Sequence, residues 1–309
     1  MTRPPTRQRG VAVLTAILVV ALGTMIAVNL MWIASLDQRR TAAALAADQG
    51  LLYLQGAEAW VGDILRQDQI ESGQTDHLGE IWAIELAPLP VDGGVISGRI
   101  EDLQGRFNLN NLVTPQGEVD PLARRQFERL LESLQLDPTL ATVVVDWLDS
   151  DADLSFPGGG EDATYASSDP PYRTPNSLIT SASELMANAG FDLDAYRILA
   201  PYVTALPSGT PLNVNTASDV LLASLSDDID LAAAAGLIQE RGPADFPDID
   251  QTFEGRVEAD VLGRIDGVSQ YFLLTANVAL GTHQLTMYSL LQRDNSGLVR
   301  AIFRSLGAQ

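Results

Sequence analysis

Residues 11–36 run without a charged side chain through VAVLTAILVVALGTMIAVNLMWIASL, 26 residues in all. About 20 apolar residues suffice for a helix to cross a bilayer, so this run predicts a transmembrane helix. The apolar positions then thin to a stripe. Ala43, Ala47, Leu51, Leu54, Ala57, Val61 and Ile64 recur three and four apart. That spacing predicts a helix that continues past the membrane and packs one face on a sheet of the same chain. Gly50 and Gly56 interrupt it, each at a modest cost to helix stability. Alternation takes over after residue 75. Trp82 to Leu86 predicts a strand ending at Pro88, Pro90 to Gly94 a turn, and Val95 to Leu103 a second strand. Tyr271 to Leu280, Gln284 to Gln292 and Leu298 to Phe303 predict three more. Gly281-Thr282 and Asn295-Ser296-Gly297 supply their turns.

Helix signals fill the region between. Asp120-Pro121 opens a helix through Phe127, Leu130 and Leu134, and Asp137-Pro138 opens another through Val144 and Trp147. Ser181 and Glu184 have the spacing of a capping box, with Gly190 as a stop. The expected fold class is α+β: a long N-terminal helix on a small antiparallel sheet, with a large all-α insertion. Residues 11–36 are the transmembrane helix, 37–107 its continuation and the first strands. Residues 108–268 are the insertion, in two parts (108–210 and 211–268), and 269–309 the closing strands.

Charge and composition narrow the chemistry. The 309 residues carry 40 acidic and 19 basic side chains, a net charge of −21. All the basic residues are Arg, so a lysine nucleophile or Schiff base is excluded. The absence of Cys removes disulfides, thiolate metal sites and cysteine catalysis. His77 and His283 lie more than 200 residues apart, so no multi-histidine zinc site can form. Ser177, Ser181 and Ser183 have no His near them in sequence. Paired carboxylates admit glycoside hydrolysis, but an aromatic content of 6% offers little for a sugar cleft. The reading is therefore not an enzyme. So negative a chain repels phosphate, which argues against nucleic acid as a partner.

The first ten residues hold Arg3, Arg7 and Arg9 and no acid, which favours a cytoplasmic amino terminus. Arg39 and Arg40 on the far side oppose this, and Asp37 partly offsets them. A secretory signal would have a shorter apolar core with a small-residue cleavage site behind it. Here the small residue comes first, as Arg9-Gly10-Val11. This arrangement resembles the class III signal of type IV pilins and type II secretion pseudopilins; a plain signal anchor with a chance glycine is the alternative. The resemblance implies that prepilin peptidase removes the leader, residues 1–10, after Gly10 and methylates the new terminus at Val11. Two positions depart from the commonest pattern. The first mature residue is Val11 where Phe is usual, and the fifth is Thr15 where Glu is usual. The large K-type minor subunit is the pseudopilin class that lacks this Glu.

The central motifs carry the sharper resemblance. Phe107-Asn108-Leu109-Asn110-Asn111-Leu112 is followed by Val145-Asp146-Trp147-Leu148-Asp149-Ser150-Asp151, then Gly158-Gly159-Gly160-Glu161-Asp162 and Tyr165. Pro170-Pro171-Tyr172-Arg173, Asn176, Ser183-Glu184-Leu185 and Leu212-Asn213-Val214-Asn215-Thr216-Ala217 complete the set. In this order it resembles the general secretion pathway protein K family, the K-type minor pseudopilins of type II secretion systems. The resemblance implies a pseudopilin fold and a single-pass protein of the bacterial inner membrane with its head in the periplasm. It implies a structural role, capping the pseudopilus tip and starting its assembly with other minor pseudopilins.

Residues 146–169 hold seven acids and no Arg: Asp146, Asp149, Asp151, Asp153, Glu161, Asp162 and Asp169. Crowded carboxylates repel unless solvated, protonated or metal-bound. Oxygen ligands on a glycine-containing loop suit a hard cation, Ca²⁺ ahead of Mg²⁺. Asp149-x-Asp151-x-Asp153 imitates the start of an EF-hand, but the match fails at Leu154 and Gly160. A solvated acidic loop is the competing reading. The family resemblance implies Ca²⁺ in this loop, with Asp149, Asp151, Asp153, Glu161 and Asp162 as the ligand set. Asp146 belongs either to that set or to the helix ahead of Trp147. Asn176 either adds an amide oxygen or holds a turn.

Leu212 to Ala217 also resembles the entry to helix-hairpin-helix DNA-binding domains. The hairpin position reads Ser226-Asp227-Asp228-Ile229-Asp230, without glycine. Residues 211–268 hold 12 acids against 3 Arg. The second reading, a membrane-anchored periplasmic DNA-uptake or hydrolytic protein, would need a basic hairpin or a clustered His/Ser/Asp set.

Overall fold

The computed structural model describes residues 9–71, 75–85 and 87–307, so residues 1–8 of the expected leader lie outside the described residues. Helix α1 (Arg9–Glu71) is unbroken over 63 residues, about 95 Å at 1.5 Å per residue. Its most apolar window has a mean hydropathy of 2.7 and no buried share. Within it the Thr15 hydroxyl is spent on the carbonyls of Val11 and Ala12, at 3.1 and 3.0 Å.

The strands in chain order are β1 (Leu89–Val91), β2 (Gly94–Asp102), β3 (Phe107–Asn108), β4 (Val203–Thr204), β5 (Leu212–Asn213), β6 (Ile265–Asp266), β7 (Tyr271–Leu280), β8 (His283–Arg293) and β9 (Val299–Leu306). Five of them form an antiparallel sheet in the order β1-β2-β7-β8-β9. The second half of α1 lies on one face of it. Leu54, Val61 and Leu65 pack there against Phe272, Leu274, Met287 and Leu291. Contact begins at Gly50, where an added Cβ would sit 2.5 Å from the Leu285 side chain. The missing side chain lets the helix close on the sheet. Ala47, upstream of this point, is exposed.

The alternation at residues 271–303 forms strands as expected, and β7 and β8 join through the two-residue turn Gly281-Thr282. The expectation of a strand at Trp82–Leu86 is overturned. Residues Ile81–Ala83 form a 3₁₀ turn, and residue 86 lies outside the described residues. The alternation there reflects one anchor: Trp82 is buried edge-on to Phe272, and its indole N–H donates to Glu80 at 2.5 Å. The edge strand lies later, at β1, where Pro90 is tolerated because no further strand needs its missing N–H.

β2 and β7 are neighbours in the sheet, and residues 103–270 leave and return between them. This segment folds helices α2 (Pro121–Ser133), α3 (Leu140–Leu148), α4 (Asp162–Tyr165), α5 (Leu193–Leu199), α6 (Asp219–Ser224), α7 (Leu231–Arg241), α8 (Ile249–Phe253) and α9 (Ala259–Leu262) around its own core. Asp120 caps α2 by accepting from the N–H groups of Leu122 and Ala123. The Ser181–Glu184 capping box is present, on a 3₁₀ helix. Beyond the helices, the parallel pairs β3–β4 and β5–β6 tie distant parts of the segment together.

A buried polar junction joins this segment to the sheet. Asp102, at the end of β2, accepts from Asn213 Nδ2 (3.0 Å), Thr216 Oγ1 (2.5 Å), Ser269 Oγ (2.7 Å) and the Gln104 N–H (2.8 Å). Beside it Arg293 of β8 donates to both carboxylate oxygens of Asp76 and, at 3.3 Å, to Asp68 of α1.

Candidate metal centre in the acidic loop

All nine residues of α3 are buried, Asp146 among them, and Asp149 closes the helix as its C-cap. Asp146 and Asp149, three apart, share a helical face. The loop that follows returns over them. The Ser155 N–H donates to Asp146 Oδ2 at 3.1 Å. A Cβ at Gly159 would meet that same oxygen at 2.2 Å. Glu161 then starts α4 as its N-cap. Carboxylate oxygens of Asp149, Asp151 and Glu161 come within 4.8 Å of one another. Asp149 and Glu161 are buried, whereas Asp151 is exposed.

The electrostatics follow from that crowding. Burial, together with Asp151, Asp146 and Glu161, pushes the Asp149 carboxyl up to about 7. Burial also raises Glu161, helped by Asp146 and Asp151 and opposed by the Thr174 hydroxyl bond of 3.0 Å. Asp146 Oδ1, Asp149 Oδ1, Glu161 Oε1 and Asn176 Oδ1 are buried without hydrogen-bond partners. Buried polar atoms are normally paired. A set of such oxygens with no basic residue among them is the donor chemistry of a hard cation, so the residues fit Ca²⁺.

The structure groups three of the five expected ligands. Asp153 is exposed, and its N–H donates to the Asp151 carboxylate at 2.8 Å. Asp162 accepts from Thr174 Oγ1 at 3.2 Å and lies 3.7 Å from Arg173. Neither is in the group. Asp146 faces it, and its spacing to Asp149 is the sequence signal for that. Asn176 holds a turn, with φ at +44° and its Nδ2 donating to the Asp151 carbonyl, and its Oδ1 is left without a hydrogen-bond partner.

The asparagine motifs serve the scaffold. Asn110 Nδ2 donates to the carbonyls of Ile179 and Leu206, and Oδ1 accepts from the Ile179 N–H. Asn215 Oδ1 accepts from the Phe246 N–H at 2.9 Å. At the hairpin position Asp227 is held by Arg129 of α2 at 2.5 and 3.3 Å. Arg241 is buried and donates to the carbonyls of Val214 and Ala217. Arg264 binds Asp120 at 2.8 Å.

A helix long and apolar enough to cross a membrane, continued along an antiparallel sheet with a helical segment between its strands, defines a pilin-like subunit. Family models described as Type II secretion system (T2SS), protein K, match residues 105–208 and 212–261. Type II secretion system protein K of Pseudomonas aeruginosa is 36% identical over 97% of this chain and 93% of its own. That of Aeromonas hydrophila is 38% identical over 68% of this chain and 67% of its own. The solved GspK-GspI-GspJ complex from the enterotoxigenic Escherichia coli Type 2 Secretion System contains a chain that superposes with a TM-score of 0.78. That chain is 26% identical and is matched over its whole length and over 87% of this one. The chain belongs to the protein K family of type II secretion systems, the K-type minor pseudopilins.

Proposed function

We propose that this minor pseudopilin caps the pseudopilus tip, starts its assembly with smaller minor pseudopilins, and has no catalytic role. The observation that carries the reading is Thr15. Its hydroxyl is occupied by its own helix and offers no charge to the amino terminus of a subunit stacked next to it. The segment of residues 103–270 adds bulk that a closely packed shaft would have to accommodate. The solved relative was crystallised with GspI and GspJ, which supports a heteromeric contact for this chain too. In this reading prepilin peptidase cuts after Gly10 and methylates Val11, α1 anchors the protein in the inner membrane, and the head stands in the periplasm. Ca²⁺ bound by Asp149, Asp151 and Glu161, with Asp146 and Asn176 adjoining, orders the acidic loop as a structural ion.

The test is light scattering after size exclusion, on the processed chain with and without the minor pseudopilins of its own system. A defined heteromer and no homopolymer is the expected result. Regular homopolymers of this chain alone overturn the capping role.

A further inference from the structure

A second group of carboxylates, far from the acidic loop in sequence, forms where the end of α1 meets the turn at residues 77–80. Oxygens of Asp68, Asp76 and Glu80 come within 4.8 Å of one another, and all three residues are buried. Arg293 pairs with both carboxylate oxygens of Asp76 and reaches Asp68 at 3.3 Å. Its single charge balances one of the three acids. Glu80 Oε2 accepts from the His77 N–H at 3.2 Å and the Trp82 indole N–H at 2.5 Å. Glu80 Oε1 is buried without a hydrogen-bond partner, on a residue only 7% exposed. Buried polar atoms are normally paired. His77 Nε2 faces that oxygen at 3.7 Å. The other ring nitrogen, Nδ1, lies 3.2 Å from the Pro243 carbonyl and 3.1 Å from the Gly79 N–H. Gly79 permits this approach, because a Cβ there would meet the Pro243 carbonyl at 2.9 Å and the imidazole at 3.2 Å. With its proton on Nδ1 and donated to Pro243, the imidazole turns a lone pair on Nε2 toward the orphaned Glu80 oxygen. A backbone carbonyl on the far nitrogen is the arrangement that fixes a metal-binding histidine.

We propose that His77 Nε2, Glu80 Oε1 and a carboxylate oxygen of Asp68 hold a divalent transition-metal ion, Zn²⁺ being the best match, in a site separate from the acidic loop. Bonds of about 2.0–2.1 Å put the ligand atoms of a tetrahedral Zn²⁺ about 3.3 Å apart, close to the spacing between Nε2 and Oε1. The charges also close: Arg293 answers Asp76, and the ion answers Asp68 and Glu80. One imidazole with two carboxylates suits Zn²⁺. Ca²⁺ takes about six to eight oxygens, more than this group offers once Arg293 holds Asp76. His77 is partly exposed and gives the ion a way in. The ion ties Asp68 of α1 to the 77–80 turn and, through the Pro243 carbonyl, to the inserted segment. The site is independent of the capping role and of Ca²⁺ binding.

The test uses the full-length chain in detergent, without a histidine tag, stripped with chelator and then saturated with Ca²⁺ to occupy the acidic loop. Co²⁺ is the probe, because four-coordinate Co²⁺ absorbs visible light strongly and Zn²⁺ displaces it. The chain has no Cys, so thiolates contribute nothing to that spectrum. The wild type is expected to bind a single Co²⁺ with this absorption and to melt higher in Zn²⁺. His77→Gln removes the nitrogen at a partly exposed position and should weaken Co²⁺ binding at least about tenfold. Glu80→Gln retains the side-chain shape and should do the same. His283→Gln, at the exposed start of β8, is the control and should bind like the wild type. A wild type that takes up no Co²⁺ in the presence of Ca²⁺ overturns the site. Binding that survives His77→Gln, or that is lost with His283→Gln, overturns it as well. If Glu80→Gln fails to fold, the comparison of wild type with His77→Gln decides alone.

Discussion

Asp149 and Glu161 are buried among other carboxylates with no arginine within the loop. Each raised carboxyl releases its proton more readily when a cation replaces the missing positive charge. Binding to the folded state alone stabilises it by about 2.7 kcal/mol at a hundredfold excess over Kd. For a head of this size that is a melting shift of roughly 5–10 °C. The processed chain is therefore expected to melt higher with Ca²⁺ than with chelator. Asp151→Ala should abolish the difference and Asp162→Ala should retain most of it, because Asp162 is engaged by Thr174 and Arg173. Gly159→Ala should also abolish it, since its Cβ would displace Asp146 or the Ser155 carbonyl, 2.5 Å away. Equal melting with and without Ca²⁺ in the wild type would mark the loop as solvated and metal-free. At the other end of the chain, Gly10→Val should block leader removal, because a branched side chain does not fit a site that selects glycine. Intact mass with co-expressed prepilin peptidase reads this directly; a variant still shortened by ten residues would refute it.

Between elements, the junction at Asp102 carries the energetic risk. Burial lifts Asp102 to about 6, against its hydroxyl and amide donors. Asp68 on α1 is lifted to about 6 by burial and by Glu80 and Asp76, against Arg293. Both folded values exceed the unfolded value of 3.8. The folded state then binds more protons than the unfolded state between about pH 4 and 6, so stability falls as pH rises through that window. For Asp102 the loss is about 3 kcal/mol. Thermal unfolding in saturating Ca²⁺ should show the wild type more stable at pH 5 than at pH 7.5. Asp102→Asn should reduce that difference, leaving the share that Asp68 contributes, and an unchanged pH profile in the variant would contradict the assignment. Gly50→Val should loosen α1 from the sheet through the Leu285 contact, by about 1–3 kcal/mol.

The long elements were legible because one pattern dominates each of them. Tyr271–Leu280 alternates over ten residues, and α1 keeps its stripe over many turns. Short or long-range features were not. Trp82 imitates an alternating strand because one buried indole sits among exposed neighbours. The two-residue pairs β3–β4 and β5–β6 join positions tens of residues apart, and no local spacing announces them. The acidic loop stood out by charge, but which acids converge depends on how residues 150–161 turn back over α3. That is why Asp149, Asp151 and Glu161 converge with Asp146 facing them, while Asp153 faces solvent. The asparagine motifs drew attention as family markers, and their work as loop stitches emerges only from carbonyl and N–H partners far away in sequence.

At the scale of the whole molecule, α1 carries the uncharged Thr15, five residues past Gly10, at one end and packs its second half on the sheet from which residues 103–270 depart. In the proposed capping role, a shaft subunit repeats and needs the pairing that Thr15 lacks, whereas a cap needs only the contacts below it. A Thr15→Glu variant restores a carboxylate at that position. It is expected to leave the proposed single copy per filament unchanged if the bulk of residues 103–270 also excludes further stacking. Label counting on purified pseudopili checks it, and internal copies of the variant would assign the exclusion to the missing charge alone. The most direct measurement is electron microscopy of pseudopili carrying gold-labelled antibody to an epitope on this chain. The account predicts a single label at one filament end. Labels distributed along the shaft, or on both ends, would contradict it.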